Sequence, residues 1–273
     1  MSPPDGDAKV TDGAPVLATR DLTIRFGGHI AVNGVTCAFS QGTLTAIVGP
    51  NGAGKTTYFN LISGQLRPTS GTVSLLGRDI TNLGAPQRTR LGLGRAFQLT
   101  NLYPNLSVLE NVRLAVQSVA GIRYNIWSVA GHDTRVAREA HRCLERVRLD
   151  AHANLPTAAL AHGDQRKLEV AILLALRPQV FMFDEPTAGM SIDEVPIILD
   201  LIEEIKREKN KTILLVEHKM DVVQRLADRI IVLQDGTLIA DGAPAEVVAL
   251  PVVQQAYLGL PAATERQAET SHG

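Results

Sequence analysis

The sequence predicts an α/β fold: a mixed sheet with crossover helices, an N-terminal antiparallel β-subdomain and an inserted helical subdomain. Three observations predict it. Strand-like alternation fills the first part of the chain, helix signals dominate the middle from Ser107 onward, and strands alternate with helices after Leu176.

Residues 16–26, 34–40 and 44–48 alternate as strands, divided by Gly27-Gly28 and Gln41-Gly42 turns, and argue for an antiparallel sheet leading into the next segment. That segment, Gly49-Pro50-Asn51-Gly52-Ala53-Gly54-Lys55-Thr56-Thr57, matches G-x-x-x-x-G-K-[ST] between a short buried strand and a breaker-free helix at 56–62. Its glycines at 49, 52 and 54 let successive backbone N–H groups close around an anion. Lys55 supplies a point charge for terminal phosphates, and Thr56 offers a hydroxyl to Mg²⁺, a hard cation that prefers oxygen. The helix that follows points its N-terminus at the same place. A nucleoside triphosphate with Mg²⁺ is the ligand this chemistry suits.

In the middle region, Ser107-Val108-Leu109-Glu110 reads as a capping box, the hydroxyl capping the Glu110 amide and the carboxylate returning to Ser107. Residues 135–149 set Val136, Ala140, Cys143, Leu144 and Val147 on one apolar stripe. Residues 121–133, with Trp127 and several breakers, give no assignment. Leu160-Ala161-His162-Gly163-Asp164-Gln165-Arg166 precedes an apolar helix at 165–176, so its amides make either a second anion site or a plain structural turn. The helical subdomain spans about 99–176.

Beyond it come a strand at 180–183, a helix at 193–209, a strand at 212–216 and a helix at 218–227, an alternation that builds parallel sheets. Strands at 230–233 and 237–240 flank Gln234-Asp235-Gly236, an Asp-Gly hairpin signal that makes the sheet mixed. Asp184 and Glu185 end the first of these strands, at the edge where open α/β sheets bind ligands. Asp184 is placed to hold Mg²⁺ directly or through water, and Glu185 to orient and polarise an attacking water. Val216-Glu217-His218 repeats the arrangement on the next strand, with His218 placed to donate to a γ-phosphate. His29, His132, His141, His152 and His272 have no site context.

The 273 residues, 45% of them hydrophobic, suffice for one large domain or a domain with a subdomain. A net charge of −1 leaves no overall footprint for nucleic acid. No run approaches the roughly 18 apolar residues of a membrane span. The acidic, proline-containing start lacks the pattern of a secretory signal, so a cytoplasmic location is expected. Cys37 and Cys143 fall on apolar faces and read as core residues. Residues 1–15 and 262–273 read as loose tails around a folded unit at 16–261.

Taken in order from Phe26 to His218, these segments resemble an ATP-binding cassette (ABC) protein, whose core is a P-loop NTPase. The resemblance implies that Phe26 stacks on adenine. It implies that Gln98, in Arg95-Ala96-Phe97-Gln98, approaches Mg²⁺ and hinges the helical subdomain. Leu160, Ala161, His162, Gly163 and Asp164 then correspond to the signature loop that closes on ATP held by a second ATPase subunit, identical or related. Ala161 replaces the serine of that signature, His162 its first glycine and Asp164 its glutamine, while Ser191 stands where an acidic residue is usual. The resemblance further implies ATP hydrolysis coupled to transport, at the cytoplasmic face of the inner or plasma membrane. Transmembrane permease subunits would be gripped near residues 99–106 with Tyr103 as anchor, and a solute-binding protein engaged indirectly.

Within the family the chain looks most like the ATPases of branched-chain amino acid importers. Phe26-Gly27-Gly28, the 107–112 run S-V-L-E-N-V, the L-A-H-G-D-Q-R run at 160–166, Val216-Glu217-His218 and Ala256-Tyr257-Leu258-Gly259 carry this likeness, as does the insert at 117–133. Importers of urea and short amides and lipopolysaccharide exporters share much of the pattern. The rival reading, a soluble cassette acting on ribosomes or DNA, usually brings two cassettes or a long coiled-coil insert, and this sequence has neither.

Overall fold

The computed structural model describes residues 14–96, 102–119 and 134–258. Gln98 and the unassigned segment around Trp127 lie outside them. In chain order the first elements are β1 (Leu17–Phe26), β2 (His29–Phe39), β3 (Leu44–Val48), α1 (Lys55–Ser63), β4 (Ser70–Leu75), β5 (Arg78–Asp79), α2 (Ala85–Arg90) and β6 (Leu93–Ala96). Three helices follow, α3 (Val108–Val119), α4 (Thr134–Arg146) and α5 (His162–Ala175). The chain then continues through β7 (Val180–Asp184), α6 (Val195–Arg207), β8 (Thr212–Val216), α7 (Met220–Leu226), β9 (Arg229–Gln234), β10 (Thr237–Gly242), α8 (Pro244–Ala249) and α9 (Pro251–Leu258).

Two sheets result, an antiparallel one ordered β2-β1-β4-β5 and a mixed one ordered β10-β9-β3-β8-β7-β6. β1 and β2 pair antiparallel across Gly27-Gly28, as their alternation predicts. β3 departs from the expectation. It lies at the centre of the mixed sheet, parallel to β8 and β9. All five of its residues are buried, and a strand buried on both faces belongs inside a parallel sheet rather than on a half-solvated antiparallel one. The β9–β10 hairpin turns through Asp235 and Gly236, both at positive φ, as an Asp-Gly turn requires.

Helix α1 fills the space between the sheets. Tyr58, Phe59, Leu61 and Ile62 pack with Leu17, Leu22 and Phe39 on one side and Ile47, Met182 and Leu214 on the other. The opposite face of the mixed sheet, including Phe181, Phe183 and Leu215, is covered by residues of α3, α4, α5 and α6. Alternation along β7 thus feeds both layers. Arg88 secures the far end of α1: its fully buried guanidinium donates to the carbonyls of Leu61 at 2.7 Å, Ile62 at 2.6 Å, Leu83 at 2.9 Å and Thr81 at 2.9 Å. The first two are among the last carbonyls of the helix, and burial pushes the Arg88 pKa down to about 10.

Two local expectations change in detail. Ser107 Oγ does accept from the Glu110 amide at 3.1 Å, but the Glu110 carboxylate turns to Arg113 at 2.5 Å instead of returning to Ser107. Helix α5 begins at His162, three residues ahead of expectation, because the extended backbone of Ala161 forms its N-cap. The predicted stripe on α4 and just past its end is buried throughout at Val136, Ala140, Cys143, Leu144 and Val147.

Candidate functional site

Because β3, β7 and β8 run parallel, their carboxyl ends meet at one edge, and the loops after them form a single cleft. The cleft measures about 280 Å³ and is lined by His29, Ala31, Asn51, Gly52, Ala53, Gly54, Lys55, Thr56, Thr57, Glu185 and His218. Two glycines are dictated by close approach. Gly49 has φ 153° and a Cβ there would run into the Leu233 carbonyl oxygen; Gly54, the N-cap of α1, has φ 92° and its Cβ would lie 2.5 Å from the Ala31 carbonyl oxygen. The loop is braced from the β9–β10 turn, where the Gly236 amide donates to Ala53 O at 3.1 Å and Asn33 donates to Gly236 O at 2.8 Å.

Lys55 is buried, and its Nζ donates to the carbonyls of Gly49 at 2.7 Å and Pro50 at 2.9 Å. Burial lowers its pKa, opposed by the charges of Glu185 and Asp184. A buried ammonium hydrogen-bonded to neutral carbonyls, at a helix N-terminus wrapped by a glycine-rich loop, is a cradle for an anion. Thr56 and Thr57 line the same space. The residues present therefore fit a triphosphate and, through Thr56, a hard cation.

Asp184, the last residue of β7, is buried, and its Oδ2 accepts from Arg95 Nη2 at 2.6 Å. Glu185 turns out of the strand at φ 50°, a left-handed conformation that a non-glycine residue adopts at a cost. Its amide donates to Val216 O at 2.9 Å and its Oε1 lies 2.5 Å from His218 Nε2. Behind them Glu217 is buried; its Oε1 accepts from Thr187 Oγ1 at 2.7 Å and its Oε2 from the His218 amide at 2.9 Å.

Arg95, Glu217 and His29 were not singled out as site residues from the sequence. His29 lines the cleft after all, because the β1–β2 hairpin folds over the phosphate loop. Phe26 pairs directly with His29 across the hairpin and is 49% exposed, so it is not a core aromatic.

The segment at 160–164 does not line the cleft. Leu160 is buried, Ala161 and His162 are exposed, and Gly163 lies against the Glu194 carboxylate, which occupies the place a Cβ would need. Asp164 accepts from Lys167 at 2.8 Å, and Lys167 in turn reaches Glu194 at 3.3 Å. Glu194 also accepts from the Ser191 amide at 3.1 Å and hydroxyl at 2.9 Å. Burial works against the charge of Lys167, but Asp164 and Glu194 together hold its pKa above the usual value.

Fold and cleft together define a phosphate-loop nucleoside triphosphatase. The sequence profile of the ABC transporter family matches residues 32–188. The chain is 39% identical over 250 residues to the high-affinity branched-chain amino acid transport ATP-binding protein LivG of Salmonella typhimurium, spanning 90% of this chain and 98% of that protein. Among solved structures, the ADP conformation of MJ1267, an ATP-binding cassette of an ABC transporter, superposes with a TM-score of 0.76 at 27% identity, covering 90% of this chain and 99% of that one. A dimeric post-hydrolysis state of the ATP-binding cassette MJ0796, bound to ADP and Pi, gives a TM-score of 0.73 at 27% identity over 84% and 98% of the two chains. The chain belongs to the ABC transporter family.

Proposed function

We propose that this chain is the ATP-hydrolysing subunit of an importer for branched-chain amino acids or related small polar solutes. The observation that carries the reading is the convergence of the phosphate loop, Glu185 and His218 on one cleft. Gly49, Pro50, Asn51, Gly52, Ala53, Gly54, Lys55, Thr56 and Thr57 hold the phosphates, Glu185 orients the attacking water and His218 donates to the terminal phosphate. Phe26 offers a face to the adenine. Thr56, Asp184 and Gln98 hold Mg²⁺. Bound there, Mg²⁺ neutralises charge on the phosphoryl oxygens.

Leu160, Ala161, His162, Gly163 and Asp164 stand apart from the cleft, so they serve it only from a second ATPase subunit. The dimeric MJ0796 cassette with ADP and Pi supports that arrangement. Closure on ATP and reopening after hydrolysis then moves permease subunits between states. Among the described residues no helix is long and apolar enough to cross a membrane, and the chain is peripheral at the cytoplasmic face. Exposed Tyr103, Leu106 and Leu155 surround the bridge between Ser107 and Pro156 and form an apolar patch for the permease. The solute-binding protein acts through that permease. The cassette occupies residues 16–261, with a helical subdomain at about 99–176 and tails at 1–15 and 262–273.

Uptake of labelled leucine, compared with urea, in a strain lacking this chain tests the reading. Leucine uptake is expected to fall and to return with the wild-type chain but not with Lys55→Ala. A defect confined to urea would reassign the solute, and steady ATP binding by Lys55→Ala would overturn the phosphate-loop assignment.

A further inference from the structure

Arg95 sits on β6 beside Met182 of β7, with its side chain only 1% exposed. Alternation along β7 puts Met182 and Asp184 on one face of the sheet, the face that packs against α1. The Arg95 guanidinium spans the space between them. Its Nη2 donates to Asp184 Oδ2 at 2.6 Å, while Nη1 reaches Asn60 Oδ1 at 2.6 Å, Ser63 Oγ at 2.9 Å and Gln65 Oε1 at 3.2 Å. The same group lies 5.0 Å from the centre of the Phe59 ring. Asn60, Phe59 and Ser63 belong to α1, whose other end is the phosphate loop.

Charge compensation alone does not account for this arrangement. A single ammonium beside Asp184 would neutralise it, whereas here three neutral side-chain acceptors from α1 and its exit engage the second arm of a planar fork. Only arginine presents donors in that fixed geometry. The consequence shows at Lys55. Its ammonium feels the charge of Asp184, yet it bonds to Gly49 and Pro50 carbonyls rather than to that carboxylate.

We propose that Arg95 is a positioning residue: it ties Asp184 to helix α1, keeps the carboxylate from collapsing onto Lys55, and leaves Oδ1 of Asp184 free for Mg²⁺. The proposal rests on the reading of Asp184 as a metal-holding residue. It makes the distance between the acidic strand and the phosphate loop a property of one side chain, located three residues before Gln98.

The test is the affinity of the purified protein for a fluorescent ATP analogue, measured with Mg²⁺ and with EDTA, for wild type, Arg95→Lys and Arg95→Met. Mn²⁺ bound to the nucleotide complex is counted in parallel by paramagnetic resonance. Affinity in EDTA is expected to be unchanged in Arg95→Lys, while the gain in affinity on adding Mg²⁺ shrinks by about tenfold or more, as for other residues that orient a metal ligand. Mn²⁺ binding should weaken in step. If Arg95→Met fails to fold, Asn60→Leu with Ser63→Ala and Gln65→Leu removes the tether to α1 and its exit while keeping the charge, and the same loss is expected. An undiminished Mg²⁺ gain in Arg95→Lys means that charge alone matters and overturns the proposal. A wild type that binds no nucleotide in either buffer overturns the ATP reading as well, a distinguishable result.

Discussion

Glu185 Oε1 lies 2.5 Å from His218 Nε2, although the two residues leave different strands. The register of β7 on β8 sets Asp184 opposite Val216, and the left-handed turn at Glu185 brings its carboxylate across to the neighbouring strand end. The contact fixes the two side chains against each other at the mouth of the cleft. Glu185→Gln is expected to keep ATP binding and lose turnover by about 10² or more, the usual effect of removing a general base. Because the two groups act as a unit, His218→Ala added to Glu185→Gln should cost little further. Single-turnover hydrolysis of Glu185→Gln, His218→Ala and the double variant measures this, and additive losses would show that the residues act independently.

What was legible in the sequence follows the range of the interactions. The strand, loop and helix at 44–63 could be read because burial, glycine spacing and helix propensity are local, and Asp184, Glu185 and His218 because each sits at a readable strand end. The sheet to which β3 belongs was not readable from its alternation, since its partners β8 and β9 lie far along the chain. The place of Arg95 depends on β6 pairing with β7, more than eighty positions away, and the role of Glu217 needs Thr187, thirty positions away. His29 gains its place from the hairpin folding over the loop, which no local pattern announces. The short elements β4, β5, α2 and β6 are too brief to carry a periodic signal.

The segment at 160–164 rests on Glu194. Hydrogen bonds from the Ser191 amide and then its hydroxyl hold the Glu194 pKa below 4.5, with Lys167 adding to the effect. A depressed folded-state pKa contributes stability that is fully present above the unfolded value and lost as pH falls through the folded one. Glu194→Gln should therefore flatten the acid limb of a melting-temperature profile below pH 4.5. Gly163→Ala should push the Glu194 carboxylate off its Ser191 and Lys167 contacts, a cost that the gain in helix propensity, about 1 kcal/mol, largely offsets. A wild-type acid limb in Glu194→Gln would place the pH dependence elsewhere.

Thr187 and Glu217 form a buried strut behind Glu185 and His218 at 2.7 Å. Removing the hydroxyl leaves the buried Glu217 carboxylate short of a donor, at about 1–3 kcal/mol. The His218 amide hangs on the other oxygen of that carboxylate, so the disturbance passes to the ring. Thr187→Val is expected to lower kcat with little change in the KM for ATP, whereas Thr187→Ser should restore it. Steady-state kinetics decide this; a change in KM alone would show that the strut serves binding instead.

His29 and Phe26 face each other across the hairpin, so their side chains share one face of the sheet, as does Ala31 two residues on. The carbonyl of Ala31 lies against Gly54 at the phosphate loop. Along that face the sequence Ala31, His29, Phe26 therefore leads away from the phosphate end, marked by Lys55, Glu185 and His218, towards the nucleoside. His29 is expected to contact the ribose or the inner phosphates and to ignore the terminal one. His29→Ala should then weaken ATP and ADP by the same factor, about fivefold for one lost hydrogen bond of about 1 kcal/mol, and leave kcat alone. Fluorescence titration with both nucleotides measures this directly. A loss confined to ATP would put His29 at the γ-phosphate instead, and no loss for either would leave its ring facing solvent.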